Sequence, residues 1–262
     1  MIEINYNIAL IIEYDGSNYY GFQKQIGVQT IQNQLEQALF LFTNQKVDVI
    51  TAGRTDTGVH AIYQVVNFIT TVKRNLNSWV RGVNAFLPKD IVIKEAANVP
   101  LEFNARFDAI SRTYHYYLYN NFIRSALLYK RVGWYQRKLD INKMKKAASY
   151  LIGEHDFSCF RASSCQANTP NRTITNFTID NKENIIKFEI TANAFLHHMV
   201  RNIIGSLVYI GDGKINLEYF LQILKDLDRR NAPPTFMADG LYLAKVIYPE
   251  NYFSCNPLNW LF

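Results

Sequence analysis

A polar loop between two strand-like runs constrains this chain more than any other feature. Residues 51–60 read TAGRTDTGVH, and their two glycines permit tight turns and positive φ values. A run rich in valine and isoleucine precedes the loop at residues 47–50, and a second follows at residues 61–69. Because functional side chains are often carried on loops held by a rigid scaffold, this pattern predicts a site built around the loop.

Asp56 is the only carboxylate in this loop, and Arg54 lies two residues before it. From the residues alone, Asp56 fits four roles: a nucleophile, a general base, a magnesium ligand, or a turn-forming residue near a glycine. A nucleophilic carboxylate must be ionised at neutral pH, and a nearby guanidinium favours the ionised form. A magnesium site usually recruits more than one carboxylate or substrate phosphates, and this loop has no second acid, so we rank the metal role low.

The order of periodic segments predicts an α+β fold. Apolar periodicity indicates strand, helix, strand, strand, helix and strand over the first hundred residues, which is the ferredoxin-like order. The second half repeats it loosely, with a strand at 112–119, a helix at 141–151, a hairpin at 174–191, helices at 195–210 and 217–227, and a strand at 240–247. We expect two ferredoxin-like halves, residues 1–105 and 106–262, forming a largely antiparallel mixed sheet with helices on one face.

Composition narrows the class of protein without naming a function. The chain has 262 residues, nearly half of them apolar, with 28 Lys plus Arg against 22 Asp plus Glu. Three cysteines without CxxC spacing indicate neither a zinc site nor a disulfide framework. No apolar run approaches the roughly 20 residues that span a bilayer, and the first residues do not resemble a signal peptide. We therefore expect a cytoplasmic protein with no membrane partner.

A tyrosine-rich strand is a second candidate element. In residues 112–119, Tyr114, Tyr116 and Leu118 are predicted to share one face of the sheet. Tyr117 and Tyr119 are predicted to lie on the other face. Aromatic side chains on a sheet either stack nucleobases or pack in the core, and for three of the four tyrosines we favour the core.

The helix predicted at residues 195–210 places Arg201 inside an apolar pattern, with His197 four residues before it. A guanidinium there needs a partner or must extend its stem along the helix, because burying an unpaired charge is costly. Asp56 is the candidate partner. The adjacent pair His197-His198 does not match a metal-binding spacing on a helix, so we expect no metal site.

Motifs along most of the chain resemble the tRNA pseudouridine synthase A (TruA) family. The loop at residues 52–61, AGRTDTGVHA, is similar to the family's signature. The other matching motifs, in chain order, are residues 14–16 (YDG), 21–23 (GFQ), 84–88 (NAFLP), 103–107 (FNARF), 112–116 (RTYHY), 153–157 (GEHDF), 172–174 (RTI), 195–202 (FLHHMVRN) and 240–243 (GLYL). So many motifs in one order argue against a chance match.

The resemblance implies a fold, a reaction and a set of site residues. The family has the pseudouridine synthase fold and isomerises uridine to pseudouridine at positions 38, 39 and 40 of the tRNA anticodon stem-loop. The reaction involves no net redox change and no hydrolysis, so no organic cofactor or metal is expected. Asp56 matches the catalytic aspartate, which attacks C1′ of the ribose or otherwise assists departure of the uracil.

The resemblance assigns substrate contacts to three further residues. Arg54 matches the residue that helps to hold the target nucleotide out of its stack, and flipping is required because a paired stem hides the reacting atoms. Tyr114 matches the tyrosine that packs against the target uracil. Arg201 matches the arginine that pairs with the catalytic carboxylate. The family is also homodimeric, with tRNA lying across both subunits.

Some features depart from the family's pattern or leave other classes open. Asn104 stands where a histidine is expected, and Phe236-Met237 replaces a typical Ala-Pro pair, so neither segment receives a role. A net charge of +6 is modest for an RNA-binding protein, so we expect the basic residues to be concentrated on one face.

Two other functions remain as alternatives to a tRNA pseudouridine synthase. One is a non-catalytic RNA-binding module or RNA chaperone, which would not need Asp56. The other is a metal-dependent RNA nuclease.

Overall fold

The structure is a computed structural model that describes residues 4–256 and residue 261. The chain divides into two compact units. The first comprises Met1–Ile110 and Tyr242–Leu261, and the second comprises Ser111–Leu241. No helix in the described part of the chain has both the length and the apolar character needed to cross a bilayer.

The described residues form ten strands and five α-helices. In chain order they are β1 (Tyr6–Tyr14), α1 (Ile31–Thr43), β2 (Ile50–Thr51), β3 (His60–Thr70), α2 (Leu76–Asn84), β4 (Ile91–Val99), β5 (Ser111–Asn120), β6 (Gly133–Tyr135), α3 (Ile141–Ser149), β7 (Gly153–Asp156), β8 (Asn171–Lys182), β9 (Ile185–Ala192), α4 (Met199–Gly211), α5 (Leu217–Asp226) and β10 (Leu241–Ile247).

The first unit contains a sheet of strand order β4-β1-β3-β10, with the short β2 paired to β3. β1 is antiparallel to both neighbours, whereas β10 is parallel to β3. The continuous apolar run at residues 8–12 of β1 is buried on both faces, as expected for a central strand. Trp79 of α2 packs against Phe42 of α1 and Phe68 of β3, with ring centroids 5.4 and 5.5 Å away. The two helices and this sheet therefore share one core.

The second unit contains strands in the order β5-β9-β8-β7, with neighbours antiparallel and β6 parallel to β5. The register sets Tyr114 opposite Ile190 and His115 opposite Glu189. Side chains of β5 therefore alternate between the two faces as the sequence predicts. α4 is buried along most of its length, which explains its nearly continuous apolar sequence.

The predicted α+β class with a mixed sheet is confirmed. The predicted order of the first hundred residues is that of β1, α1, β2, β3, α2 and β4, and the predicted hairpin is β8 with β9. β6 and β7 were not predicted. They are three and four residues long, too short to show an alternating pattern.

The helix predicted from Phe195 is wrong in its first turn, because α4 begins at Met199. His198 has a left-handed backbone conformation with a φ of 62°. The backbone of His197 bonds a neighbouring loop instead, since its N–H donates to Cys165 Sγ at 3.4 Å and its carbonyl accepts from Ala162 N at 3.0 Å. His197 is therefore not one helical turn before Arg201.

The structural units differ from the predicted halves at the C-terminal end. β10 pairs with β3, and Ile110 N–H donates to the carbonyl of Ile247 at 2.9 Å, so the last strand lies in the first unit. Sequence order alone placed this strand with the second half. Whether residues 1–105 and 106–262 behave as separate domains stays a prediction.

Candidate active site

The loop at residues 52–59 joins β2 to β3 and leaves Asp56 half-buried. Val59 N–H donates to the carbonyl of Asp56 at 3.1 Å and closes a turn. Gly58, the third residue of this turn, has a φ of 78°, which suits the third position of a type II turn. The turn is thus closed by the backbone of Asp56. Its carboxylate is not needed to form it, so the turn-forming role does not exclude a chemical one.

Buried side chains of two strands hold the N-terminal part of the loop. Thr55 is buried, and its Oγ1 lies 2.8 Å from the hydroxyl of Tyr14 on β1. Gln64 of β3 donates to the carbonyl of Gly53 at 2.6 Å and accepts from Gly53 N at 3.3 Å. Gln64 Nε2 also donates to the Tyr14 hydroxyl at 3.4 Å. Burial raises the pKa of Tyr14 to about 12, so this hydroxyl stays protonated and can serve as a donor.

The segment after β1 wraps around the same loop. Phe22 N–H donates to the carbonyl of Thr55 at 3.0 Å, and Gly58 N–H donates to the carbonyl of Tyr19 at 3.3 Å. Gly21 has a φ of 85°, and a Cβ there would lie 2.7 Å from the Thr55 carbonyl oxygen. This close approach explains why glycine is needed there. The two motifs before residue 24 therefore have a structural reason to accompany the loop.

Asp15 and His60 form a buried polar contact where the loop enters β3. Asp15 Oδ1 lies 3.0 Å from His60 Nδ1 and accepts from Ser17 Oγ at 2.6 Å. Burial raises the pKa of the Asp15 carboxyl, but the hydrogen bonds from His60 and Ser17 outweigh it and hold the pKa well below its usual range. Asp15 is thus held in its ionised form. It supports the end of the loop next to Val59.

Arg54 is exposed on the loop, and a second arginine influences it. Partial burial lowers the pKa of Arg54, and the like charge of Arg106 lowers it further. The two guanidinium groups therefore both contribute positive charge to the loop region of the first unit. Sequence reasoning gave no role to Arg106. The signal that could have identified it is its place in the motif at residues 103–107.

Asn104 has a structural role at the position where a histidine was expected. Its Oδ1 accepts from Arg106 N at 3.0 Å and from Phe107 N at 3.2 Å, which forms a side-chain-closed turn. Asp108 Oδ2 accepts from Asn104 N at 2.8 Å and completes it. The asparagine therefore fixes the backbone that carries Arg106.

Tyr114 lies in β5 of the second unit and is buried. Its ring meets Phe195 edge-to-face, with centroids 5.0 Å apart. Tyr116 and Tyr117 are more deeply buried, and Tyr116 donates to the carbonyl of Met237 at 3.0 Å. The core role favoured for most of these tyrosines is therefore confirmed. The predicted role of Tyr114 toward a uracil stays a prediction.

Arg201 lies in the first turn of α4 and is half-buried. Its Nε donates to the carbonyl of Phe236 at 2.9 Å, and Phe236 N–H donates to the carbonyl of Arg201 at 3.2 Å. The segment that received no role from the sequence therefore holds the stem of this arginine. Arg201 and Asp56 belong to different units, and their pairing stays a prediction.

A polar cluster lies on β5 and β9 of the second unit. Glu189 Oε2 lies 3.1 Å from His115 Nε2 and 3.2 Å from Lys187 Nζ. His115 and Lys187 are buried, and Glu189 is about one-third exposed. The hydrogen bond from His115 lowers the pKa of Glu189, burial opposes it, and Lys187 helps to bring the value to about 2. Burial in turn lowers the pKa of His115.

Comparisons with known proteins agree with the arrangement of the loop and its supports. The model of the tRNA pseudouridine synthase family matches residues 10–108 and 147–249. The chain belongs to this family. It is 51% identical to tRNA pseudouridine synthase A of Herminiimonas arsenicoxydans over 249 residues, covering 94% of this chain and 90% of that protein. It is 50% identical to the enzyme of the same name from Neisseria meningitidis serogroup B over 250 residues, covering 95% and 94%.

A third relative has the same name. The tRNA pseudouridine synthase A of Paraburkholderia xenovorans is 51% identical over 245 residues, with 94% of this chain and 91% of that protein covered. As a tRNA pseudouridine synthase, the protein is an isomerase. The matched ranges of the family model include Arg54, Asp56 and Arg201 but not Tyr114.

Proposed function

We propose that this tRNA pseudouridine synthase acts at positions 38, 39 and 40 of the tRNA anticodon stem-loop, with Asp56 as its nucleophile. The observation that carries the proposal is identity of 50% or more, over nearly the whole chain, to proteins named tRNA pseudouridine synthase A. The rigid support of the loop around Asp56 agrees with it. A catalytic carboxylate has to be held in a fixed position to attack one atom.

The reaction exchanges one bond of the nucleoside for another. The bond between uracil N1 and ribose C1′ breaks, the uracil turns, and a bond forms between C5 and C1′. C5 loses its hydrogen as a proton and N1 gains one, so the product has the composition of the substrate. In this proposal, the Asp56 carboxylate attacks C1′ and is released when C5 bonds to it.

Arg54, Tyr114 and Arg201 hold the substrate and the carboxylate in this proposal. Arg54 is exposed, and its positive charge supports binding of an anionic backbone beside the flipped nucleotide. Tyr114 offers a ring fixed by Phe195 for packing against the uracil. Arg201 is oriented by the Phe236 carbonyl and pairs with the Asp56 carboxylate in this proposal.

Replacing Asp56 by asparagine tests the nucleophile. We expect pseudouridine formation to fall by at least about 10³-fold while tRNA binding changes little, because asparagine keeps the shape but cannot attack. Release of tritium from tRNA labelled at uracil C5 measures turnover, and Asp48→Asn, at an exposed aspartate of the first unit, is the matched control. Wild-type turnover in Asp56→Asn would show that Asp56 is not the nucleophile.

The same assay of pseudouridine formation tests the roles of Tyr114 and Arg201. Tyr114→Ala should lose more turnover than Tyr114→Phe if ring packing matters more than the hydroxyl, and Arg201→Met should lose activity strongly.

Mapping of pseudouridine tests the proposed target positions in tRNA. Transcripts with cytidine at positions 38, 39 and 40 should give no product. A binding module would show no turnover in the wild type. A metal-dependent nuclease would cleave RNA and stop in excess chelator.

The proposal includes a homodimer in the cytoplasm. Four large apolar side chains within residues 122–129 are 66–94% exposed: Phe122, Ile123, Leu127 and Tyr129. Exposed apolar clusters of this kind are commonly covered by a partner, which supports self-association. The tRNA substrate supports the cytoplasmic location.

A further inference from the structure

One segment of the second unit carries the basic excess of the chain. Residues 121–146 contain eight of the 28 basic residues and one of the 22 acidic residues, a net charge of +7. The remainder of the chain holds 20 basic and 21 acidic residues, a net charge of −1. The segment lies between the two ranges that the family model matches. Most of the net positive charge of the chain therefore lies in this one segment, and the expected concentration on one face stays a prediction.

The basic residues of this segment are directed to solvent. All are exposed except Lys130, which is half-buried. Lys145 and Lys146 lie on the exposed face of α3, whose buried face is formed by Met144, Ala147 and Ala148. The single acid, Asp140, caps this helix by accepting from Lys143 N at 3.1 Å. Its Oδ2 also lies 3.5 Å from Lys143 Nζ, so Asp140 pairs with Lys143 at the helix end rather than with Lys145 or Lys146.

A buried carboxylate holds one of these basic residues, Arg137, beside Lys214, which lies outside the segment. Asp212 follows α4 and its side chain is only 4% exposed. Its Oδ2 lies 3.3 Å from Arg137 Nη1 and 3.3 Å from Lys214 Nζ, and it accepts from the Tyr135 hydroxyl at 2.7 Å. The side chains of Arg137 and Lys214 are 62% and 39% exposed. Lys214 Nζ also lies over the ring of Tyr209, 4.6 Å from its centroid.

This arrangement positions positive charge at little entropic cost. A carboxylate at the C-terminal end of a helix faces the negative end of the helix dipole and is unfavourable without compensation. Two cations and a hydroxyl compensate it, and the group keeps a net charge of +1. Arg137 and Lys214 are therefore held in place before a ligand arrives. A guanidinium beside an ammonium suits a phosphate, because the planar fork of arginine can donate to two oxygens.

We propose that Arg137, Lys214 and the exposed lysines Lys138, Lys145 and Lys146 form a surface that binds the phosphate backbone of tRNA. The inference rests on the proposed function, because it takes tRNA as the polyanion. Contacts to phosphates do not read sequence, but they fix where a nucleic acid lies on a protein. The surface would thus dock tRNAs of different sequence in one orientation.

Removing three of these lysines tests the surface without disturbing the Asp212 network. For the variant K138Q/K145Q/K146Q, we expect Kd for tRNA to rise about tenfold at 0.1 M salt. The slope of log Kd against log salt should fall by about two to three, because each lost phosphate contact removes close to one counterion. The control K46Q/K73Q/R74Q removes the same charge from exposed positions of the first unit and should leave both quantities unchanged. Fluorescence anisotropy of labelled tRNA at several salt concentrations measures both.

Three results would contradict the proposal that this surface binds tRNA. The triple variant could keep the wild-type slope and Kd, or the control could change them equally, which would indicate only a general effect of net charge. The triple variant could also keep the slope but change the molar mass in sedimentation equilibrium, which would assign the surface to contacts between copies of the chain. If instead the slope falls as expected but the wild type forms no pseudouridine, the surface stands and the proposed function fails.

Discussion

Burial and hydrogen bonding decide the ionisation of single residues in this protein. Tyr14 is kept protonated by burial, and its hydroxyl contacts Thr55 in the loop that carries Asp56. Glu189 is kept ionised by His115 and Lys187, although burial opposes it. A pKa that differs between the folded and unfolded chain makes stability depend on pH.

Glu189→Gln should therefore reduce stability in a pH-dependent manner. The folded pKa of Glu189 is about 2, against an ordinary value of 4.5. Its stabilisation is fully present above pH 4.5 and is lost as the pH falls toward 2. We expect the variant to lose about 1 to 2 kcal/mol of unfolding free energy at pH 7, after allowance for partial exposure. Urea unfolding between pH 7 and pH 3 measures the difference, which should shrink with acid. A difference that stays constant with pH would contradict the assignment.

At the level of elements, β1 and β3 act together to hold the loop at residues 52–59. Gln64 has three hydrogen bonds in this support, to both backbone groups of Gly53 and to Tyr14. Because Gln64 is buried, losing its amide would leave polar groups without partners in the interior. The position of Asp56 relative to a substrate would then be less well fixed.

Gln64→Met should lower turnover more than its effect on stability explains. We expect a loss of about 2 to 3 kcal/mol in unfolding free energy and a clear fall in kcat, with little change in KM for tRNA. Thr70→Val is the matched control, because Thr70 is as deeply buried in β3 and bonds Gln45, outside the loop. Both variants are assayed well below their unfolding temperatures. Equal kcat values for the two variants would show that Gln64 contributes only to stability.

For the whole molecule, two surfaces of the second unit lie in adjoining parts of the chain. Residues 122–129 carry the exposed apolar side chains, and Arg137 with the lysines of α3 carries positive charge. We assign the first to self-association and the second to tRNA. The two assignments make different demands on solution behaviour, because apolar contacts respond little to salt and phosphate contacts respond strongly.

The variant I123S/L127S should shift the protein from dimer toward monomer. Burying an isoleucine or leucine side chain contributes about 1.5 to 3 kcal/mol, so the dissociation constant should rise at least about 100-fold. Sedimentation equilibrium measures it, and Ile26→Ser, at an exposed isoleucine of the first unit, is the control. A wild type that sediments as a monomer would refute the homodimer. A dimer unaffected by I123S/L127S would place its interface elsewhere.

Local sequence determined much of this protein. The apolar run of β1, the helix cap at Thr30 and the glycines around Asp56 each act within a few residues, so the first six elements were predicted in the right order. The motif at residues 51–60 was sufficient to predict a site there, because its glycines and single carboxylate are local features. The series of different motifs along the chain was sufficient to predict the family.

Tertiary structure decided what depends on residues distant in sequence. The pairing of β10 with β3 joins residue 242 to residue 60, and no local pattern records such a pairing. α4 starts at Met199 because loop residues 162 and 165 bond the backbone of His197, which overrides the helical pattern of Phe195 and its neighbours. Asn104 proved to be a turn-forming residue, and the like charge of Arg106 lowers the pKa of Arg54. Around Asp56 itself, the sequence marked the carboxylate, and only the fold showed that Tyr14, Gln64 and Gly21 hold its loop.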